Sequence, residues 1–143
     1  MGVAVTGKMI SIGILVSTLI TGCSAERRAF SAKNVYKETF KQTYYLACLK
    51  YGFNNSPEIN KLLKEDKSGF GELILGEQYF YIDSLARMAA ERMKDDSVRT
   101  AGKRAEGADG KRVFSTTLHD YNSKWLNTLA KKAWRDSRKS KED

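Results

Sequence analysis

Few residues of this chain belong to the types that do covalent or metal chemistry: two cysteines, Cys23 and Cys48, and one histidine, His119, among 143 residues. That inventory does not make a zinc set with ordinary ligand spacing. His119 is followed by Asp120, and adjacent helical side chains diverge by about 100°, so the two form a poor dyad. His119 reads as a surface or boundary residue. Cys48 lies in an aromatic helical stretch with no base near it in sequence, which predicts a buried, inert thiol. Gly69-Phe70-Gly71 lacks the third glycine and the preceding strand of a dinucleotide loop. No catalytic residue, metal or cofactor is expected, and the chain does not read as an enzyme.

Cys23 is the cysteine whose surroundings imply chemistry. Lys8 is followed by an almost unbroken apolar run from Met9 to Ile20, and then by Thr21-Gly22-Cys23. The run is shorter than the roughly 20 residues of a membrane span. It has the length of a secretory signal core ending in small residues. Ile20-Thr21-Gly22-Cys23 resembles the bacterial lipobox, in which the thiol is acylated and the chain is cut just before it. A buried helix is the poorer reading, because nothing polar interrupts the run to face solvent. Met1-Gly2-Val3-Ala4-Val5-Thr6 also fits an N-myristoylation pattern, but that reading leaves the apolar run unexplained. The expectation is therefore a cleaved lipoprotein signal peptide over 1–22, a lipidated polar tether over 23–33, a helical domain over 34–138 and a charged tail over 139–143. Such a chain sits in the periplasm with its lipid in a membrane. Ser24 is not the Asp associated with inner-membrane retention, which favours the outer membrane.

Cleavage before Cys23 removes 22 of 143 residues and leaves 121. That is one domain, able to bury about two-thirds of the surface its unfolded chain exposes. The whole chain carries +8; losing Lys8 leaves 24 basic against 17 acidic residues. The excess suits an acidic protein, anionic lipid or wall polymer, or mere solubility. Export removes nucleic acid as a routine partner. Acylation of Cys23 leaves Cys48 without an intrachain partner, so stability must come from packing. A single proline and the scarcity of alternating β-branched runs predict an all-α fold, a small bundle of about five to six helices.

Tyr36, Phe40, Tyr44, Ala47, Cys48 and Tyr51 recur at spacings of three and four, which is a helix with an aromatic core stripe. Ser31 or Asn34 is placed to cap it, and Gly52 with Asn54-Asn55 to end it. Ser56-Pro57-Glu58 reads as cap, first turn and dipole-favoured acid of a second helix that turns Ile59, Leu62 and Leu63 inward. Ser68-Gly69-Phe70-Gly71 loosens the chain, Gly76 predicts a break near Tyr79-Phe80-Tyr81, and Asp83 is placed to cap a helix burying Leu85, Met88, Ala89 and Met93. Val113, Phe114, Leu118 and Tyr121 form a short helix. Ser123 caps the last one, with Trp125, Leu126, Leu129, Ala130 and Ala133 on one side and Lys124, Lys131, Arg135 and Arg138 on the other.

Arg99 to Arg112 differs in kind, with three glycines, five basic residues and no large apolar side chain. It predicts a long exposed loop, and such loops in compact domains are functional or disordered.

Two helical words carry a family resemblance. Tyr45-Leu46-Ala47-Cys48-Leu49 with Tyr51, and Leu118-His119-Asp120-Tyr121-Asn122-Ser123-Lys124-Trp125-Leu126 with Leu129 and Lys131-Lys132, resemble the type VI secretion amidase immunity family. Its members are small exported α-helical inhibitors of an injected peptidoglycan amidase, and the resemblance covers about Tyr36 to Lys132. One departure is that many members carry a second cysteine where this chain has Thr117, so Cys48 lacks the partner the family would supply for a disulfide. The resemblance implies homodimers, and a loop between middle and later helices that plugs the amidase groove. The segment in that position is Arg99 to Arg112, which makes Gly102, Lys103, Arg104, Gly107, Asp109, Gly110, Lys111 and Arg112 the candidate effector-binding residues. Small residues permit close backbone approach, and the cations would pair with acids at a groove mouth. The rival reading is an envelope scaffold or adaptor that binds anionic lipid or cell-wall polymer through the basic last helix.

Overall fold

In the computed structural model, which describes residues 11–66, 72–105, 107 and 109–139, every regular element is α-helical, as expected. These are α1 (Ser11–Gly52), α2 (Pro57–Glu65), α3 (Glu72–Leu75), α4 (Gln78–Arg99), α5 (Val113–Asn122) and α6 (Lys124–Lys139). Lys8, the Ser68-Gly69-Phe70-Gly71 segment and residues 140–143 lie outside the described residues. The chain divides into a first unit, Met1–Asn34, and a second, Val35–Asp143. None of the described helices is long and apolar enough to cross a membrane.

The polar segment read as a tether ahead of the first helix is itself helical. α1 already begins at Ser11, so neither Ser31 nor Asn34 starts it. Ala25-Glu26-Arg27-Arg28-Ala29 are nearly all strong helix formers, and after Gly22 no glycine or proline interrupts the chain until Gly52. Polarity alone does not exclude helicity.

In the second unit, Tyr36, Phe40, Tyr44 and Cys48 fall every four residues on one buried face of α1. α4 answers with Ile82, Ala86, Ala89 and Met93, and α6 with Leu126, Ala130 and Ala133, in one cluster closed by Leu75 and Val113. The alanines make room for the rings. Tyr36 meets Trp134 at 5.3 Å between centroids, and Tyr44 meets Trp125 edge-on at 5.9 Å, both within the favourable range for aromatic pairs.

α1 ends as read: Asn54 and Asn55 both take the left-handed conformation, at φ 57° and 56°. Gly52 serves a different purpose. It is still helical, and a Cβ there would lie 2.6 Å from Val113 Cγ1. Its missing side chain admits α5. Ser56 then caps α2 by accepting the Ile59 N–H at 3.4 Å, with Pro57 in the first turn. The Glu58 carboxyl is held below its ordinary range by its own backbone N–H and by Ser56.

Three expectations are corrected, two of facing and one of capping. No residue of α2 is buried and Leu62 is exposed, because α1, α4 and α6 already fill the core and leave this short helix on the rim. Asp83 caps nothing: α4 starts earlier, at Gln78, directly after the break at Gly76 (φ 54°). Met88 points outward, and Ile82, Ala86 and Ala90 are buried in its stead. Bulky aromatics on α1 select the alanine-bearing face of α4. Ser123 caps α6 as expected, accepting the Leu126 N–H at 3.1 Å.

Candidate functional site

The loop expected between α4 and α5 is present, and its ends are built into the second unit. Thr100 closes α4 by donating its hydroxyl to the Asp96 carbonyl at 2.7 Å. The Gly102 N–H donates to the Asp109 carboxylate, 3.2 and 3.3 Å from its two oxygens, tying the two limbs of the loop together. Arg104 lies under the loop with its side chain only 14% exposed. Its guanidinium donates to the Gly110 carbonyl at 3.2 Å and to the Asp96 carboxylate at 3.3 Å. Lys111 reaches the Gly52 carbonyl at 2.8 Å and Asn54 Oδ1 at 2.6 Å.

The eight candidate residues thus separate by role. Arg104 and Lys111 are partly buried and spend their charge on partners within the fold, and Asp109, though exposed, is engaged by the Gly102 N–H. Gly102, Lys103, Gly107, Gly110 and Arg112 are exposed. The three glycines take φ 69°, 76° and 123°, where a side chain is strained. A Cβ on any of them would meet nothing within 4 Å, so no packing inside the fold demands a glycine. Their effect is to bend the backbone and leave it bare.

At the foot of the loop lies a cleft of about 460 Å³, lined in part by Arg92, Arg99 and Arg112 together with Asp96, Asp120 and Met93. Asp96 is held below the ordinary carboxylate range, first by its hydrogen bond from Arg99 at 2.7 Å and then by the Arg99, Arg104 and Arg112 charges. Asp120 accepts the Tyr44 hydroxyl proton at 2.8 Å, while Arg92 stands 4.0 Å and His119 3.7 Å from its oxygens. Behind that pair is Cys48, fully buried. Burial pushes its thiol up to about 12; the negative Asp120 adds to this, and a Tyr44 hydrogen bond opposes it. Burial likewise drives the Tyr44 hydroxyl far up. Cys48 is buried, as expected of it, out of contact with solvent. His119, 83% exposed at its side chain, is the surface residue expected.

The sequence reading missed Arg92, Asp96, Arg99 and the Tyr44–Asp120 pair. The Asp96–Arg99 spacing of three was visible as a helical ion pair. The pairing of Tyr44 with Asp120, 76 positions apart, carried no local signal. Among the described residues no cluster of three His, Cys, Asp or Glu is placed to hold a metal ion. Cys23 falls within α1. On the far side of α6, Lys124, Lys131, Arg135 and Arg138 are all exposed.

No protein-family model, curated protein or solved structure matches the chain.

Proposed function

We propose that the protein is an immunity protein: a lipid-anchored helical domain that binds a cognate peptidoglycan amidase, delivered by type VI secretion, and obstructs its active-site groove. The observation that carries this reading is the loop between α4 and α5, bent and bare at its exposed glycines yet fastened to α4 and to the end of α1 by Arg104 and Lys111. A segment that enters a groove gains affinity when its shape is fixed beforehand, because less conformational entropy is lost on binding. Lys103 and Arg112 supply exposed cations beside it for an acidic groove mouth. The lipobox-like Ile20-Thr21-Gly22-Cys23 supports a location where an injected wall hydrolase would arrive, with the lipid confining the inhibitor near a membrane. The two helical words shared with the amidase immunity family point the same way, and they imply a second copy of the chain as a further partner.

The test is direct. Mature protein without its lipid is mixed with amidases encoded beside it, and release of cleaved wall peptides is followed. The expected result is inhibition by an equimolar amount of protein. Unchanged hydrolysis by every neighbouring amidase overturns the proposal.

A further inference from the structure

We propose that the outer face of α6 is a docking surface for the phosphate headgroups of an anionic bilayer, which holds the domain in a defined orientation on the membrane. At 100° per residue, Lys124, Lys131, Arg135 and Arg138 fall within about 60° of arc on the helix. Leu126, Ala130 and Ala133, the buried positions, lie on the other side. All four cations are exposed, and no acidic residue falls within their arc.

Helix stability does not account for this stripe. Arg138 suits the C-terminal turn, but Lys124 occupies the first turn, where the helix dipole disfavours a cation and where no acidic residue offsets it. Within the described residues Lys124, Lys131 and Arg135 make no salt bridge, whereas other basic residues of the domain do so. Arg138 also stacks over the Trp134 ring, 5.7 Å from its centroid, which leaves Lys124, Lys131 and Arg135 as the docking cations: exposed cations of one sign are complementary to a surface of the opposite sign.

The occupant follows from where the stripe lies in the second unit. The C-terminal part of α6 packs on Tyr36, whose ring meets Trp134 and whose hydroxyl lies beside Ser137. Tyr36 is the second residue of that unit. It lies only 13 positions after Cys23, a reach of about 45 Å even if fully extended. A lipid on Cys23 therefore keeps this end of α6 close to headgroups, at a high effective concentration. The inference rests on the lipid-anchored part of the proposed function, not on the amidase.

Both tryptophans of the chain, Trp125 and Trp134, are on α6, so tryptophan fluorescence, excited apart from that of the tyrosines, reports on this helix alone. The full lipidated protein is incorporated into vesicles containing brominated lipid, either zwitterionic or rich in phosphatidylglycerol. Expected is quenching in the anionic vesicles only, relieved by salt and lost in a Lys124→Gln/Lys131→Gln/Arg135→Gln variant of unchanged helicity. At about fivefold per cation, removing three lowers affinity roughly 100-fold. Equal quenching in both compositions, or none in either, overturns the docking face. Mass measurement of the N-terminal peptide tests the anchor separately. If it carries no acyl chain, the anchor reading fails. The face is then judged by whether wild type floats with anionic vesicles and the triple variant does not; flotation of both, or of neither, overturns it.

Discussion

The ammonium of Lys111, at the end of the exposed loop, donates to the carbonyl of Gly52, the last residue of α1, at 2.8 Å. Carbonyls in the last turn of a helix have no intrahelical donor, and this one is met by a charge that also satisfies Asn54. One side chain thus closes a helix and moors a loop. Replacing Lys111 by Met keeps the aliphatic stem but leaves both acceptors without that donor. A loss of about 1–3 kcal/mol is expected, read as a lower denaturant midpoint at unchanged slope. Under the proposed function the same variant inhibits the amidase less well than its remaining folded fraction accounts for, because the loop has lost a mooring.

Gly52 also faces Val113 closely enough to forbid a side chain. Gly52→Ala puts a Cβ 2.6 Å from Val113 Cγ1, and Val113 is β-branched and 3% exposed, so it has little room to give. The expected cost is about 1–3 kcal/mol, typical of overpacking. Val113→Ala on its own opens a small cavity. The double variant recovers part of the first loss, a coupling that a double-mutant cycle in urea measures. Additive losses would mean that the contact does not limit the approach of α5 to α1.

Burial raises the Cys48 thiol to about 12 and the Tyr51 hydroxyl to about 12, the latter reinforced by its hydrogen bond to Asp83. Groups whose pKa is higher when folded stabilise the protein fully below the unfolded value and lose that contribution as pH rises through the folded one. Stability should accordingly decline from about pH 8, as the unfolded thiol ionises around its ordinary value of about 8.5, up to about 12. Cys48→Ala removes the early part of this decline. At pH 8 the native thiol should resist a disulfide reagent, with labelling that tracks unfolding. At the acid end, burial pushes the Asp83 carboxyl up, but hydrogen bonds from Tyr51 and Arg87 outweigh it and hold the group low. Its contribution is present above the unfolded value of about 3.9 and disappears as pH falls through the lower folded value, so Asp83→Asn should flatten the acid limb.

Local signals and long-range contacts differ in how far the sequence displayed them. The aromatic stripe of α1, the Asn54-Asn55 stop, the Ser56 and Ser123 caps and the glycine-rich loop all follow from spacing or from the needs of one turn. Each is present. The misreadings have one origin. Which face of α4 turns inward depends on the volume left by Tyr36, Phe40 and Tyr44, and Met88 is as apolar as the alanines that displaced it. α2 carries an amphipathic pattern yet has no buried residue, because patterning marks a face without reserving a place for it in the core. In the loop, composition marked five cations as available. Only the fold reveals that Arg104 and Lys111 are committed to Gly110, Asp96, Gly52 and Asn54.

That division of the loop cations separates two kinds of variant under the proposed function. Lys103 is exposed at the loop, and its charge does nothing for the core. Reversing it by Lys103→Glu should leave the unfolding midpoint within about 0.5 kcal/mol of wild type, as for most surface changes. Association with an acidic groove mouth should slow by about tenfold at low salt, and the difference should shrink as salt screens the field, with dissociation barely altered. Arg104→Ala should behave in the opposite way. It removes the donor shared by Gly110 and Asp96, so stability falls by about 1–3 kcal/mol. The loop loosens, and the complex dissociates faster because more ordering must accompany binding. Stopped-flow association at two salt concentrations, alongside urea melts of both variants, distinguishes steering from mooring. If Lys103→Glu leaves the association rate unchanged at low salt, Lys103 does not steer the encounter.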